Sequence, residues 1–113
     1  MKYNSYIDKI EFFVPPTKLT NKKLVDENPS WDVDKIYNKT GIKNRYIADI
    51  NTTATDLAVH AGKKFFEKYP EKKEEIDYLI FCTQSPDFFL PTSACLIQDR
   101  LGLRTGIGAI DIN

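Results

Sequence analysis

Apolar and polar positions alternate along this chain in blocks that each suggest one element. Tyr6-Ile7-Asp8-Lys9-Ile10-Glu11-Phe12-Phe13-Val14 has strand composition, and Pro15-Pro16 stops it. A charged, loop-like stretch follows, in which Thr20 is placed to cap a short helix through Leu24 and Val25. A stronger helix is predicted from Ser30, taken as its N-cap. Val33, Ile36 and Tyr37 share a face there, acidic residues come early and lysines late, and Gly41 suits the left-handed closing position. Ile42 to Ile50 reads as a second strand.

The clearest helix is TTATDLAVHAGKKFFEKYP. Thr53 and Asp56 form a variant of the capping box, Leu57, Ala58, Ala61 and Phe65 form an apolar stripe, and Pro70 lies beyond the end. Tyr78-Leu79-Ile80-Phe81-Cys82 is continuously apolar, which predicts a central parallel strand covered on both faces. Its downstream end turns polar at Thr83-Gln84-Ser85-Pro86-Asp87, and ligands of open α/β sheets sit at such carboxyl ends. Thr92 to Leu101 is helical with Gly102 as its stop, and Ile107 to Ile112 is the last strand. The order β, helix, β, α, β, α, β predicts a layered α/β sheet with right-handed crossovers.

Composition narrows this picture. The 113 residues make one domain or part of one, with 42% hydrophobic and 28% charged residues, as in ordinary globular chains. Sixteen basic residues balance sixteen acidic ones, so charge gives no reason to expect a nucleic-acid or membrane partner. No apolar run reaches the ~18 residues of a membrane span, and none follows Lys2 as in a signal peptide, so a cytoplasmic location is expected. Cys82 and Cys95 lack metal-ligand spacing and are read as reduced, buried thiols. Dinucleotide and P-loop glycine motifs are absent, so no cofactor or metal is expected.

Candidate chemistry is sparse. His60, the only histidine, is read as a surface or rim imidazole. Cys95 lies in the first turns of a helix, where a thiol pKa can fall, yet no acid, base or oxyanion motif accompanies it; it is read as filler. Trp31 is read as a packing residue rather than an exposed ring for stacking. Phe88-Phe89 before Pro91 fits a pocket wall or partner contact, and equally simple core packing.

Three segments, in order, resemble one family. KTGIKNRYIA is similar to the TGI-x-x-R-x-x-A segment of the ketoacyl-ACP synthase III family, PTSACLIQDRLGL to its P-[ST]-x-A-C-x-[IV]-Q-x-x-LG helix, and AIDIN to the strand before its G-C-[SA]-G nucleophile turn. The resemblance spans essentially the whole chain. It implies a thiolase-like α/β fold, with residues 1–113 as the N-terminal part of the domain, ending before the nucleophile turn. It implies a homodimeric acyltransferase of fatty-acid biosynthesis that condenses an acyl-CoA primer with malonyl-ACP by decarboxylation. The reactive cysteine would follow about three residues after Asn113, at a helix onset where a thiol pKa falls to ~3.5–7.5. Residues 1–113 alone would then be inactive, with no catalytic residue of their own.

The resemblance also implies substrate contacts at Lys39, Thr40 and Leu90. Lys39 stands where the family often has an arginine that holds coenzyme A, and a lysine keeps the charge without the planar fork. The family's coenzyme-A-stacking tryptophan stands four residues before that arginine; here that position is Lys35, and Trp31 is a further turn back. Leu90 matches a position that walls the partner's acyl pocket, and leucine there leaves room for a longer or branched chain. The other readings are a polyketide or secondary-metabolite condensing enzyme, a non-catalytic dimerising module, and a small nucleotide- or redox-binding protein. A sheet cut short leaves an edge and a face uncovered, so the piece alone is expected to be marginal and to dimerise if folded.

Overall fold

A computed structural model describes residues 4–113. Two units are present, one of Val14–Thr52 and one of residues 4–13 with Thr53–Asn113.

In Val14–Thr52, strand β1 (Thr17–Thr20) pairs antiparallel with β2 (Asn44–Ile47), from Thr17 opposite Ile47 to Thr20 opposite Asn44. A stretch expected to be loop is therefore strand β1. Its only buried apolar side chain is Leu19, and its partner lies more than twenty residues away, so no local period reveals it. Helix α1 (Asn21–Glu27) starts where expected, with the Lys23 N–H donating to Thr20 Oγ1 at 3.2 Å. Helix α2 (Val33–Thr40) is capped by Asp32 rather than Ser30: the Lys35 N–H donates to Asp32 Oδ1 at 2.7 Å. Ser30 is inside a turn closed by the Trp31 N–H on Asn28 O at 2.9 Å, and a carboxylate is the stronger acceptor at a helix's positive end. Gly41 ends α2 at φ 68°, and nothing lies within 4 Å of where its Cβ would be. Backbone conformation, and not space, therefore calls for glycine there.

The second unit is built on helix α3 (Ala54–Lys68), a short helix α4 (Lys72–Glu75) that the sequence pattern did not suggest, strand β3 (Tyr78–Cys82), helix α5 (Ser93–Leu101) and strand β4 (Gly108–Ile112). β3 and β4 pair in parallel, Tyr78 opposite Gly108 through Cys82 opposite Ile112. A parallel pair joined through a helix is the α/β arrangement expected. The core is Val59, Ile97, Leu101, Leu103 and Ile107, with Leu79 and Phe81 packed against it. Burial of such side chains from water drives the packing, at ~1.5–3 kcal/mol for each fully buried Val, Leu or Ile.

α3 begins with the full capping box: the Asp56 N–H donates to Thr53 Oγ1 at 3.1 Å, and the Thr53 N–H to Asp56 Oδ2 at 2.9 Å. Its buried face differs from the expected stripe. Thr55 and Val59 are its buried residues, with the half-buried Ala58 and Phe66 packed on the core; Leu57, Ala61 and Phe65 of the expected stripe are half-buried and outside that cluster. Residues 57–66 are apolar on two adjoining faces, so periodicity alone could not choose between them. α3 and α5 approach closely at Gly62: a Cβ there would lie 2.6 Å from Leu101 Cδ1. α5 ends on Gly102 at φ 61°.

Three other expectations change. Residues 6–14 form no strand or helix and join no ladder among the described residues, and Tyr6, Ile7 and Ile10 are exposed. Strand composition specifies a partner without supplying one; ion pairs of Asp8 with Lys72 (3.0 Å) and Glu11 with Lys64 (3.1 Å) hold the segment instead. β3 is covered on one face only, with Tyr78, Ile80 (59% exposed) and Cys82 outward. Both thiols are exposed rather than buried, because Cys82 lies on that open face and Cys95 points away from the core of α5.

Two predictions follow from the α3 cap. Thr53→Ala removes the acceptor of the Asp56 amide and is expected to cost about 1 kcal/mol in urea unfolding. The Thr53 N–H, and after it the Arg100 guanidinium 2.7 Å from Oδ1, hold Asp56 below the usual carboxylate range. A depressed folded value contributes stability above the unfolded carboxylate value and loses it as pH falls through the folded one. The stability gap between the natural protein and Asp56→Asn should therefore be largest near about pH 7 and close toward about pH 2; a constant gap would contradict this linkage.

Candidate functional site

In the unit Val14–Thr52, the turn before α2, one face of α2 and Arg45 of β2 line an open surface cavity of about 390 Å³. Trp31, Lys35, Lys39, Thr40 and Arg45 line it. Lys35 and Lys39 are one helical turn apart, which puts both ammonium groups on the same side of α2. Trp31 is 52% exposed, so its ring is open to solvent rather than packed away. Its place eight residues before Lys39 does not separate the two side chains, since both reach the same cavity.

Local bonds fix this wall. The Thr40 hydroxyl donates to Ile36 O at 2.7 Å and accepts the Ile42 N–H at 3.1 Å, bracing the turn at Gly41. Arg45 Nη1 donates to Asn21 Oδ1 at 2.8 Å, and Asn21 Nδ2 donates to Ile42 O at 2.8 Å. Asn21 is a buried polar residue whose oxygen orients the arginine while its nitrogen is held by Ile42 O. Three cationic side chains line the cavity together with one carboxylate, Asp32, whose Oδ1 is engaged by the α2 amide. A cavity of this kind can hold an anion beside an aromatic plane. Lys39 and Thr40 are the expected contacts here; Arg45, the arginine of KTGIKNR, joins them without having been expected to, and Trp31 lines the cavity instead of packing in the interior.

Leu90 belongs to the other unit and is 82% exposed, next to the exposed Phe88 and Phe89. Cys95 accepts a hydrogen bond from the Thr92 hydroxyl at 3.2 Å, and His60 stacks on Phe13 with ring centroids 4.7 Å apart. Near the end of β4, Asp111 receives two backbone N–H groups of α5, from Ser93 and Ala94, both at 2.7 Å. A charged residue within AIDI was the available sequence signal for this contact, and it was passed over. An apolar cavity of about 230 Å³ beside Phe65, Ile76 and Leu79 offers almost no polar group to orient a substrate.

No protein-family profile matches the chain. It is 39% identical over 104 residues to a curated beta-ketoacyl-[acyl-carrier-protein] synthase III of Xanthomonas euvesicatoria, covering 89% of this chain and 30% of the relative. A solved 3-oxoacyl-(acyl-carrier-protein) synthase III superposes with a TM-score of 0.79 at 46% identity, over 88% of this chain and 30% of that one. A solved tetronic acid condensing enzyme superposes with a TM-score of 0.70 at 26% identity, over 88% and 32%. This chain therefore spans about a third of the length of such relatives. Over that part, in sequence and in its partial thiolase-like α/β fold, the chain belongs to the 3-oxoacyl-ACP synthase III family.

Proposed function

We propose that the protein containing this chain is a condensing acyltransferase that joins an acyl-CoA primer to malonyl-ACP with loss of carbon dioxide, in fatty-acid biosynthesis. The family likeness together with the cationic, tryptophan-bearing cavity carries this reading. Trp31 offers its ring to the adenine of coenzyme A, while Lys35, Lys39 and Arg45 face its phosphates. Thr40 keeps the turn beside Lys39 in place through its two local bonds. Leu90 walls the acyl pocket of a partner subunit in a cytoplasmic homodimer. Residues 1–113 are the N-terminal part of the domain, and β4 leads to the reactive cysteine just beyond Asn113. The thiolate there takes the acyl group from coenzyme A, and the carbanion left by decarboxylation of malonyl-ACP attacks the thioester. Residues 1–113 alone are inactive.

A polyketide-type condensing role is the second reading. The similarity to a tetronic acid condensing enzyme favours it.

Two measurements test these assignments. In the full-length protein, Lys39→Ala should weaken coenzyme A binding by about 10- to 100-fold in calorimetry, the loss of one charged phosphate contact. Lys39→Arg should retain it, and unchanged binding by the alanine variant would remove coenzyme A from this cavity. Radiolabelled acyl-CoA should leave residues 1–113 unlabelled, and label at Cys95 would overturn the placement of the nucleophile beyond Asn113.

A further inference from the structure

β4 carries a single charged side chain among apolar neighbours. Asp111 stands opposite Phe81 in the ladder and points toward α5. Both carboxylate oxygens are engaged, Oδ2 by the Ser93 N–H and Oδ1 by the Ala94 N–H, each at 2.7 Å. These are the first two amides of α5, donors that no intrahelical carbonyl can satisfy. The residue in the N-cap position, Thr92, makes no side-chain capping bond, and its hydroxyl turns to Cys95 Sγ. A carboxylate from 18 residues downstream does the capping instead. Ser93 and Ala94 are both 0% exposed, so water does not compete for these amides.

A local cap would satisfy α5 and leave β4 alone. This remote one ties the two together. On its other side β4 is held by β3 through Cys82 opposite Ile112, and the Thr83 N–H donates to Ile112 O at 3.0 Å. The exit of β4 is thus fixed from the helix side and the strand side within two successive residues.

We propose that Asp111 is a positioning residue for the condensation: by locking the exit of β4 to the first turn of α5, it sets the aim of the reactive thiol that follows Asn113. The proposal rests on the condensing-enzyme reading above. Displacing a reacting atom by an ångström can cost about 100-fold in rate. A strand end held by one carboxylate is therefore a point at which rate is sensitive to a change that leaves substrate binding alone.

The test compares the full-length natural protein with Asp111→Asn, Asp111→Ala and the exposed control Glu74→Gln, measuring condensation kinetics, thermal unfolding and amide hydrogen exchange. Asp111→Asn keeps the shape but replaces one acceptor oxygen with a donor, so one helix amide loses its partner. It should lower kcat by about 10- to 100-fold with KM for acyl-CoA within about twofold. Exchange at Ser93 and Ala94 should quicken, while the amides of Val59 and Leu101 keep their protection. If Asp111→Ala fails to fold, Asp111→Asn alone carries the comparison. Faster exchange at the two amides with unchanged kcat would overturn the positioning role and leave only a helix cap. A fall in kcat matched by the loss of folded protein would overturn it equally. A natural protein that performs no condensation overturns the functional reading and this role together, an outcome separate from an active enzyme indifferent to Asp111→Asn.

Discussion

The Asp111 carboxylate on the first turn of α5 is the contact through which the larger unit is organised. α5 supplies Ile97 and Leu101, two of the five buried residues at the core. Leu101 is in turn the residue over Gly62 of α3. Arg100, one position earlier, reaches back to Asp56 and so to the start of α3. Strand, helix and second helix are linked in series, and the first link is a short, charge-assisted and part-buried pair of hydrogen bonds. Charge-assisted bonds to orphan helix amides are stronger than neutral ones, which suits a contact that must hold two elements in register.

Features legible in the sequence were those whose physical cause is local. Thr20, Thr53 with Asp56, Gly41 and Gly102 each act within four residues of themselves, and each does what its position suggests. β3 and β4 were visible as apolar runs, and their parallel pairing followed from the helix between them. What stayed hidden depends on distant partners. β1 is a strand only because β2 lies beside it, residues 6–14 have strand composition without a ladder among the described residues, and α3 had two apolar faces to choose from. Ser30 lost the cap of α2 to Asp32 because a turn had already claimed it.

The candidate site divides along the same line. Lys39 and Thr40 came from a motif resemblance, and the cavity they line gathers Trp31 and Arg45 from neighbouring elements. The tryptophan had looked misplaced by one helical turn, a judgement made along the chain. A cavity is assembled in space, and the turn before α2 brings that ring to the same opening as the lysines. Arg45 is oriented by Asn21, a buried polar residue 24 positions away, which no local pattern announces.

The open face of β3 and β4 has a practical meaning through one atom. Cys82 sits on it with Ile80 on the same side of β3 and Ile112 opposite. Its sulfur is thus a native reporter: a thiol-directed label would read, in time, whether another protein surface has come to rest over these strands, with no probe engineered into the chain.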